Sequence, residues 1–385
     1  MPSKPQHWDI FCAVVDNFGD IGVTWRLARQ LVQEFDLQVR LLVDDLASFA
    51  PICRELDPEQ SRQVCQGVEI HLWPQAFPND WQPGDVVIEA FACELPPQAK
   101  LSMSQRHPAP LWLNLEYLSA ESWIDECHGL PSLQANGLSK YFFFPGFTTG
   151  SGGLICEHSL LSERQQWQAD PSQRQRLFNQ LGVPALAEQT RYISLFTYES
   201  DALPALLTHW RDGDTPTCCL IPQGRAVNSI LPWLSVDRLD PGHCWQSGSL
   251  TILILPMTDQ AGYDRLLWSC DFNFVRGEDS FLRAQWAAKP FLWHIYPQEQ
   301  QAHQEKLTAF LQRYGQKLSA NCHNTLLSLS LAYDIGDGPA AVSAWQALQT
   351  HETELTQHSH QWPEELLIGG DLASRLVQFC EKQLK

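Results

Sequence analysis

Apolar residues run along this chain in short blocks, set apart by polar, glycine-bearing and proline-bearing stretches. The block at 8–15 predicts a buried strand, and at 23–31 the apolar positions recur at helical spacing. Further β-rich blocks at 38–43, 68–72, 85–88, 111–113 and 141–144 predict strands, with helix-compatible segments at 46–56 and 97–106 between them. Strand and helix alternating in this order predict an α/β unit, a parallel sheet with helices on both faces.

A polar, Gln- and Arg-rich stretch at 162–182 then runs into Gly182-Val183-Pro184, where a domain boundary is expected. The alternation resumes with strands expected at 192–196, 217–221, 250–255, 271–275 and 291–295, and a helix at 281–288. The last segment, 370–385, carries Leu372, Leu376, Val377 and Cys380 at helical spacing and reads as a packing helix without chemistry. A length of 385 residues also favours two domains over one. Two such halves would leave a cleft between their strand ends, one side for a donor and the other for an acceptor.

Charge narrows the function classes. The 44 acidic and 26 basic residues give a formal charge of −18, which argues against nucleic acid and against an anionic membrane surface. No apolar run is long enough to cross a bilayer, and the first apolar block is too short for a signal peptide, so a cytoplasmic protein is expected. The 12 cysteines include no C-x-x-C pair, which leaves no zinc knuckle and no disulfide framework to read. Fifteen tryptophans are many, and large aromatics fill cores and also wall binding sites for sugars and bases.

Candidate chemistry collects in three places. Asp16-Asn17-Phe18-Gly19-Asp20-Ile21-Gly22 lies between the first strand and the first helix, at a carboxyl strand end where ligands of open α/β sheets bind. Strand end for Asp16 and helix cap for Asp20 are equally ordinary uses of aspartate. Arg276-Gly277-Glu278-Asp279-Ser280-Phe281 is a second strand–turn–helix, suited to a diphosphate through the helix start, the Arg276 charge and the Ser280 hydroxyl, which could also cap. Glu278 and Asp279 would repel phosphate and fit sugar hydroxyls, or simply complement the helix dipole. Phe196 and Tyr198, with Gln260 and Tyr263, could sandwich and read a pyrimidine, or could be packing.

Several signatures fail. The loop Thr148-Thr149-Gly150-Ser151-Gly152-Gly153 lacks the third glycine of a dinucleotide fingerprint, with Ile155 in its place. The D-x-D at Asp212-Gly213-Asp214 reads as a turn rather than a metal site. His294, His303 and His323 show no H-E-x-x-H spacing, and neither a nucleophile elbow nor a P-loop occurs.

Long runs nevertheless resemble one family. They include Trp8-Asp9-Ile10-Phe11-Cys12, Asp16 to Gly22 with Trp25-Arg26-Leu27-Ala28-Arg29, and Ala90-Phe91-Ala92-Cys93. Others are Trp112-Leu113-Asn114-Leu115-Glu116-Tyr117-Leu118-Ser119-Ala120-Glu121, Phe144-Pro145-Gly146-Phe147, Pro222-Gln223-Gly224-Arg225, Leu266-Leu267-Trp268-Ser269-Cys270-Asp271 and the 276–281 turn. They are similar to the EarP family, bacterial enzymes that rhamnosylate an arginine of translation elongation factor P. The resemblance implies the GT-B fold, two facing Rossmann-like domains with an interdomain cleft. The expected domains are 1–184, 185–361 and a terminal helix, 362–385, free to pack back on the first.

The resemblance also implies dTDP-β-L-rhamnose as donor, no metal, no cofactor, and inversion to an α-linked rhamnosyl-arginine that helps ribosomes through proline runs. Asp20 is then the expected base, with Asp16 and Glu278 also needed for activity. The donor-binding set is Phe196, Tyr198, Gln260, Tyr263, Arg276, Gly277, Glu278, Asp279 and Ser280, joined by Asn17, Phe18 and Gly19 of the first turn. Tyr263 departs from the Phe of the family pattern, and the surroundings of Gln260 differ too. Other readings are a glycosyltransferase with a sugar or lipid acceptor, and a non-catalytic protein that binds nucleotide sugar or translation factor.

Overall fold

The computed structural model describes residues 6–15, 18–73, 77–78, 80–296 and 302–384. The chain folds as two compact units, residues 1–158 with 366–385, and residues 159–365.

The first unit holds one sheet of eight strands. These are β1 (His7–Cys12), β2 (Gln38–Val43), β3 (Arg62–Cys65), β4 (Val68–Leu72), β5 (Val86–Ala90), β6 (Leu111–Leu115), β7 (Pro131–Leu133) and β8 (Ser139–Phe143), in the order β3-β4-β2-β1-β5-β6-β8-β7. Pairing is parallel except at the two edges, where β3/β4 and β7/β8 are antiparallel. Every residue of β5 and β6 is buried, as expected of strands covered on both faces. One face packs Phe11, Leu42, Val87 and Trp112 on Leu95, Ala99 and Met103.

The chain starts β1 in the middle, builds β2 and β4 to one side, then crosses to place β5, β6 and β8 on the other. Strand order therefore reverses between β1 and β5, and the crevice at a reversal is where open α/β sheets bind ligands.

The second unit repeats the plan with β9 (Arg191–Leu195), β10 (Thr217–Pro222), β11 (Cys244–Ser247), β12 (Leu250–Leu255), β13 (Phe272–Arg276) and β14 (Phe291–His294). Their order is β11-β12-β10-β9-β13-β14, with only β11/β12 antiparallel, so the reversal falls between β9 and β13. Cys218 and Cys219 are both buried in β10 and, as strand neighbours, point to opposite faces. All 12 cysteines are free thiols.

Several expectations change in the structure. The boundary falls at 158/159 rather than near 184, because the helices Leu160–Ala169 and Pro171–Leu181 pack on the second sheet's helices. Trp167 donates to Ser269 Oγ at 3.0 Å, and Leu177 and Phe178 enter the core of β10 and β12. The expected helix at 46–56 shrinks to Leu46–Phe49 and a 3-10 turn, Ala50–Ile52, where Pro51 interrupts it. The first strand ends at Cys12 rather than at 15. The segment after β14 forms four helices not anticipated: Ala302–Tyr314, Ala320–Asp334, Gly338–Gln349 and Glu352–Leu366.

The terminal helix, Leu372–Gln383, belongs to the first unit, where Asp371 caps it through Ala373 and Ser374. Arg375 donates to the carbonyls of Thr148 (2.9 Å) and Ser151 (2.7 Å), and to those of Gly370 and Ile368. The glycine-bearing loop 148–153 is thus a latch for this helix. Replacing Arg375 with alanine strips charge-assisted bonds from partly buried carbonyls, and about 2–3 kcal/mol of stability should be lost. A lower urea midpoint checks this; an unchanged midpoint contradicts it.

Candidate functional site

Both strand-order reversals carry the residues singled out from sequence. In the first unit, Asp20 is the second residue of the helix Gly19–Phe35 and is only 1% exposed. It is not the helix cap: Phe18 takes that position, with no side-chain cap bond. The Asp20 carboxylate instead reaches back, Oδ2 accepting the Val15 N–H at 2.9 Å and Oδ1 accepting the Tyr117 hydroxyl at 3.0 Å. Gly19 is buried and Phe18 half-buried beside it. Asp16 and Asn17 lie outside the described residues.

Tyr117 comes from the loop after β6, and its ring stacks on Phe91, from the loop after β5, at 4.5 Å and 17°. Phe91, Ala92 and Glu94 have φ of 55°, 53° and 48°. Left-handed backbone in non-glycine residues costs on the order of 1–3 kcal/mol each and gathers at functional sites. Bonds to the neighbouring strand β6 hold this turn: the Phe91 N–H donates to the Leu115 carbonyl at 2.7 Å, and the Ala92 N–H to Asn114 Oδ1 at 3.1 Å. Asn114 in turn donates to Glu116.

In the second unit, Phe196 and Tyr198 follow the end of β9, and its neighbour β13 ends at Arg276. The Arg276 guanidinium carbon lies 4.6 Å from the Phe196 ring centre and 4.9 Å from that of Tyr198. The two aromatic faces thus hold an arginine. Arg225 also reaches Tyr198, at 5.3 Å, while its Nε pairs with Glu199 at 2.7 Å. Tyr263 meets Phe196 at 5.5 Å with the ring planes tilted by 60°, so these two rings do not form a parallel sandwich.

The turn after β13 is fixed by its own residues. Gly277 has φ +57°, a left-handed conformation that glycine takes without strain, and its carbonyl accepts the Trp293 Nε1–H at 2.9 Å. Ser280 does not cap the helix Asp279–Trp286, since Glu278 holds that position. Its Oγ accepts the Arg276 N–H at 2.9 Å and donates to the Arg276 carbonyl, closing the turn. Gln260 Nε2 approaches Asp279 Oδ2 at 3.5 Å, which brings the loops after β12 and β13 together. A buried bidentate pair, Arg283 to Asp264 at 2.9 and 2.8 Å, ties the two following helices.

The second unit therefore gathers Phe196, Tyr198, Gln260, Tyr263, Arg276, Gly277, Glu278, Asp279 and Ser280 at one end of its sheet. Asp212 is occupied by a bidentate bond from Arg211, in keeping with the turn reading of the D-x-D. Sequence reasoning gave Tyr117 and Phe91 no role, although both lie in runs that carried the family resemblance. It also passed over His294, at the end of β14, whose ring meets Tyr198 at 5.5 Å and Tyr333 at 5.1 Å.

Sequence comparison bears on both sites. Residues 8–381 match the family model described as Elongation-Factor P (EF-P) rhamnosyltransferase EarP. The protein-arginine rhamnosyltransferase of Shewanella oneidensis is 51% identical over 99% of both chains. Its counterpart in Neisseria meningitidis serogroup B is 36% identical over 98% of this chain and 97% of the relative. A solved structure reported as the structural basis for EarP-mediated arginine glycosylation of translation elongation factor EF-P aligns with a TM-score of 0.70. It is 37% identical and covers 98% of this chain and 99% of its own. A glycosyltransferase from Rickettsia africae shares the fold at TM-score 0.55 and 9% identity, covering 99% of each chain. The two Rossmann-like units are those of the GT-B class.

His294 gives the site an acid limit. Burial first, and the Arg276 charge next, push its imidazole down to about 3, so it stays neutral beside the arginine. The unfolded chain takes up this proton near the usual 6.5 while the folded chain does not. This contribution is therefore complete above about pH 6.5 and drains away as pH falls towards 3, several kcal/mol in all. A His294→Asn variant should show a flatter decline of urea stability between those limits; an identical slope contradicts the assignment.

Proposed function

The chain belongs to the EarP family of protein-arginine rhamnosyltransferases, and from that premise we propose that it moves L-rhamnose from dTDP-β-L-rhamnose to one loop arginine of elongation factor P. The transfer inverts the anomeric centre and uses no metal or other cofactor. The observation that carries this reading is the span of the family match, 8–381, which takes in both strand-order reversals and every candidate residue.

Arginine is a difficult acceptor. Its guanidinium stays protonated, with a pKa above about 12, so an ordinary aspartate falls short by roughly eight pK units. Prior deprotonation is excluded, and the proton must leave as the C–N bond forms. Asp20, with Asp16, grips the guanidinium and turns one nitrogen towards the anomeric carbon. The bond from that carbon to the diphosphate oxygen breaks on the opposite face, and Asp20 receives the proton. The bonds from Val15 and Tyr117 fix the direction in which the Asp20 carboxylate is presented.

The departing dTDP carries negative charge. Arg276, held flat between Phe196 and Tyr198, supplies a fixed positive charge, and the start of the helix Asp279–Trp286 adds its dipole. Glu278 and Asp279 accept hydrogen bonds from rhamnose hydroxyls. The loops of Gln260 and Tyr263 take the thymine, and Phe18 and Gly19 shape the first turn against the sugar. With its substrates in the cytosol, the enzyme works there.

Intact mass spectrometry of elongation factor P, incubated with this protein and dTDP-rhamnose, tests the whole reading. One added deoxyhexosyl residue is expected; donor hydrolysis with unmodified acceptor overturns it. Asp20→Asn should leave dTDP-rhamnose binding intact and abolish the mass increase, and retained turnover removes Asp20 as base. Tyr117→Phe keeps the stack on Phe91 and loses one bond to a charged group, so kcat should fall roughly 10–100-fold at unchanged donor affinity. Equal rates rule out its positioning role. For Arg276→Ala, calorimetry should record at least about tenfold weaker dTDP binding; unaltered affinity contradicts the phosphate assignment.

A further inference from the structure

We propose that Cys322, His351 and Glu354 form a binding site for a thiophilic divalent cation, zinc above all, which pins the starts of two helices in the second unit. One ligand atom of each residue lies within 4.8 Å of the others. Tetrahedral zinc, at about 2.0–2.3 Å from each ligand, sets its ligands roughly 3.3–3.8 Å apart. His351 Nδ1 and Glu354 Oε2 already stand at 3.7 Å. Small rotations of these two half-exposed side chains, 24% and 36% accessible, complete the approach to the buried sulfur.

Each ligand is placed by something other than the cation. Cys322 is the third residue of the helix Ala320–Asp334, where its N–H donates to the capping Ser319 hydroxyl at 3.3 Å. Glu354 is steadied by Ser319, which donates its N–H to Oε1 at 2.5 Å and its hydroxyl to Oε2 at 2.9 Å. That leaves a lone pair on Oε2 and provides the outer-shell bonds that metal carboxylates carry. His351 and Glu354 sit three residues apart at the beginning of the helix Glu352–Leu366, so one turn presents both.

The ligand types select the ion. Magnesium and calcium take oxygen ligands and leave thiols alone, whereas sulfur, imidazole and carboxylate together suit zinc, with water in the fourth position. Cys322 would bind the cation as its thiolate, so the S–H proton has to be given up. Binding then forms a metal–sulfur bond and releases that proton to solvent, with no change in oxidation state.

This cation takes no part in sugar transfer. Eleven residues separate Cys322 from Tyr333 on one helix, roughly 16 Å at about 1.5 Å per residue. It is Tyr333, at the far end, that touches Thr197 and His294 beside the donor-binding residues. The role is a structural staple between two helix starts.

Cobalt(II), titrated into chelator-treated full-length protein, reads the site directly. About one equivalent should bind with a near-ultraviolet sulfur-to-cobalt charge-transfer band, which zinc then removes. Cys322→Ser should abolish the band. His351→Gln, at a half-exposed position that leaves the core untouched, should weaken binding roughly tenfold. Zinc should also raise the melting temperature of the unsubstituted protein and not that of Cys322→Ser. Absence of the band, or an equal band in Cys322→Ser from another thiol such as the exposed Cys244, overturns the proposal.

Discussion

A parallel sheet that grows outward from its first strand in both directions cannot cover the space beside that strand's carboxyl end. The connections leave to opposite faces there, and the backbone turns of two neighbouring strands are left side by side. Both units of this protein are built under that constraint, at β1/β5 and at β9/β13. Asp20 follows β1, and Phe91 follows β5. Phe196 follows β9, and Gly277 follows β13. Residues distant in sequence meet because the topology allows them nowhere else to go. Tyr117 reaches Asp20 across 97 positions, and Arg276 reaches Phe196 across 80, without a long loop in either case.

Charge is handled differently at the two reversals. At the first, a buried carboxylate is oriented by one amide and one phenol, both neutral donors. At the second, a guanidinium lies against ring faces, and the nearest histidine is kept neutral by burial. Contact with the two ring faces adds a cation–π attraction to the placement of the arginine. The fully paired ions, Arg283 with Asp264, are set one turn further along the helices, where they brace the turn.

The parallel strands were legible because strands buried on both faces are largely apolar, as 8–15, 38–43, 217–221 and 250–255 are, the charged exceptions Asp9 and Arg40 pairing with each other at 2.7 Å. The antiparallel edge strands β3, β7 and β11 were not, since their side chains are mostly exposed and bear no pattern. The helices between 302 and 366 escaped for a related reason: their Gln- and His-rich surfaces blur the apolar stripe. The boundary was misplaced because Leu160–Ala169 looks polar, yet its Trp167 packs on Trp268. Local sequence offers a cap as one ordinary use of Asp20 and of Ser280, while the bonds that occupy them depend on tertiary geometry or on the closure of one particular turn.

The turn from Phe91 to Glu94 explains why the setting of Asp20 could not be read from its own stretch of sequence. Three left-handed residues without glycine are unfavourable as a local conformation, and nothing in Ala90-Phe91-Ala92-Cys93 requests it. The backbone bonds to Leu115 and Asn114 hold it, and Asn114 is itself buried in β6. The strain places the Phe91 ring under Tyr117, and the stacked ring leaves the phenol one direction, towards Asp20. Orientation of the Asp20 carboxylate thus descends from two buried strands through a strained turn and a ring stack. A glycine at position 91 or 92 would relax the backbone and remove the ring or the constraint. Here the less comfortable residue is the one that positions the chemistry.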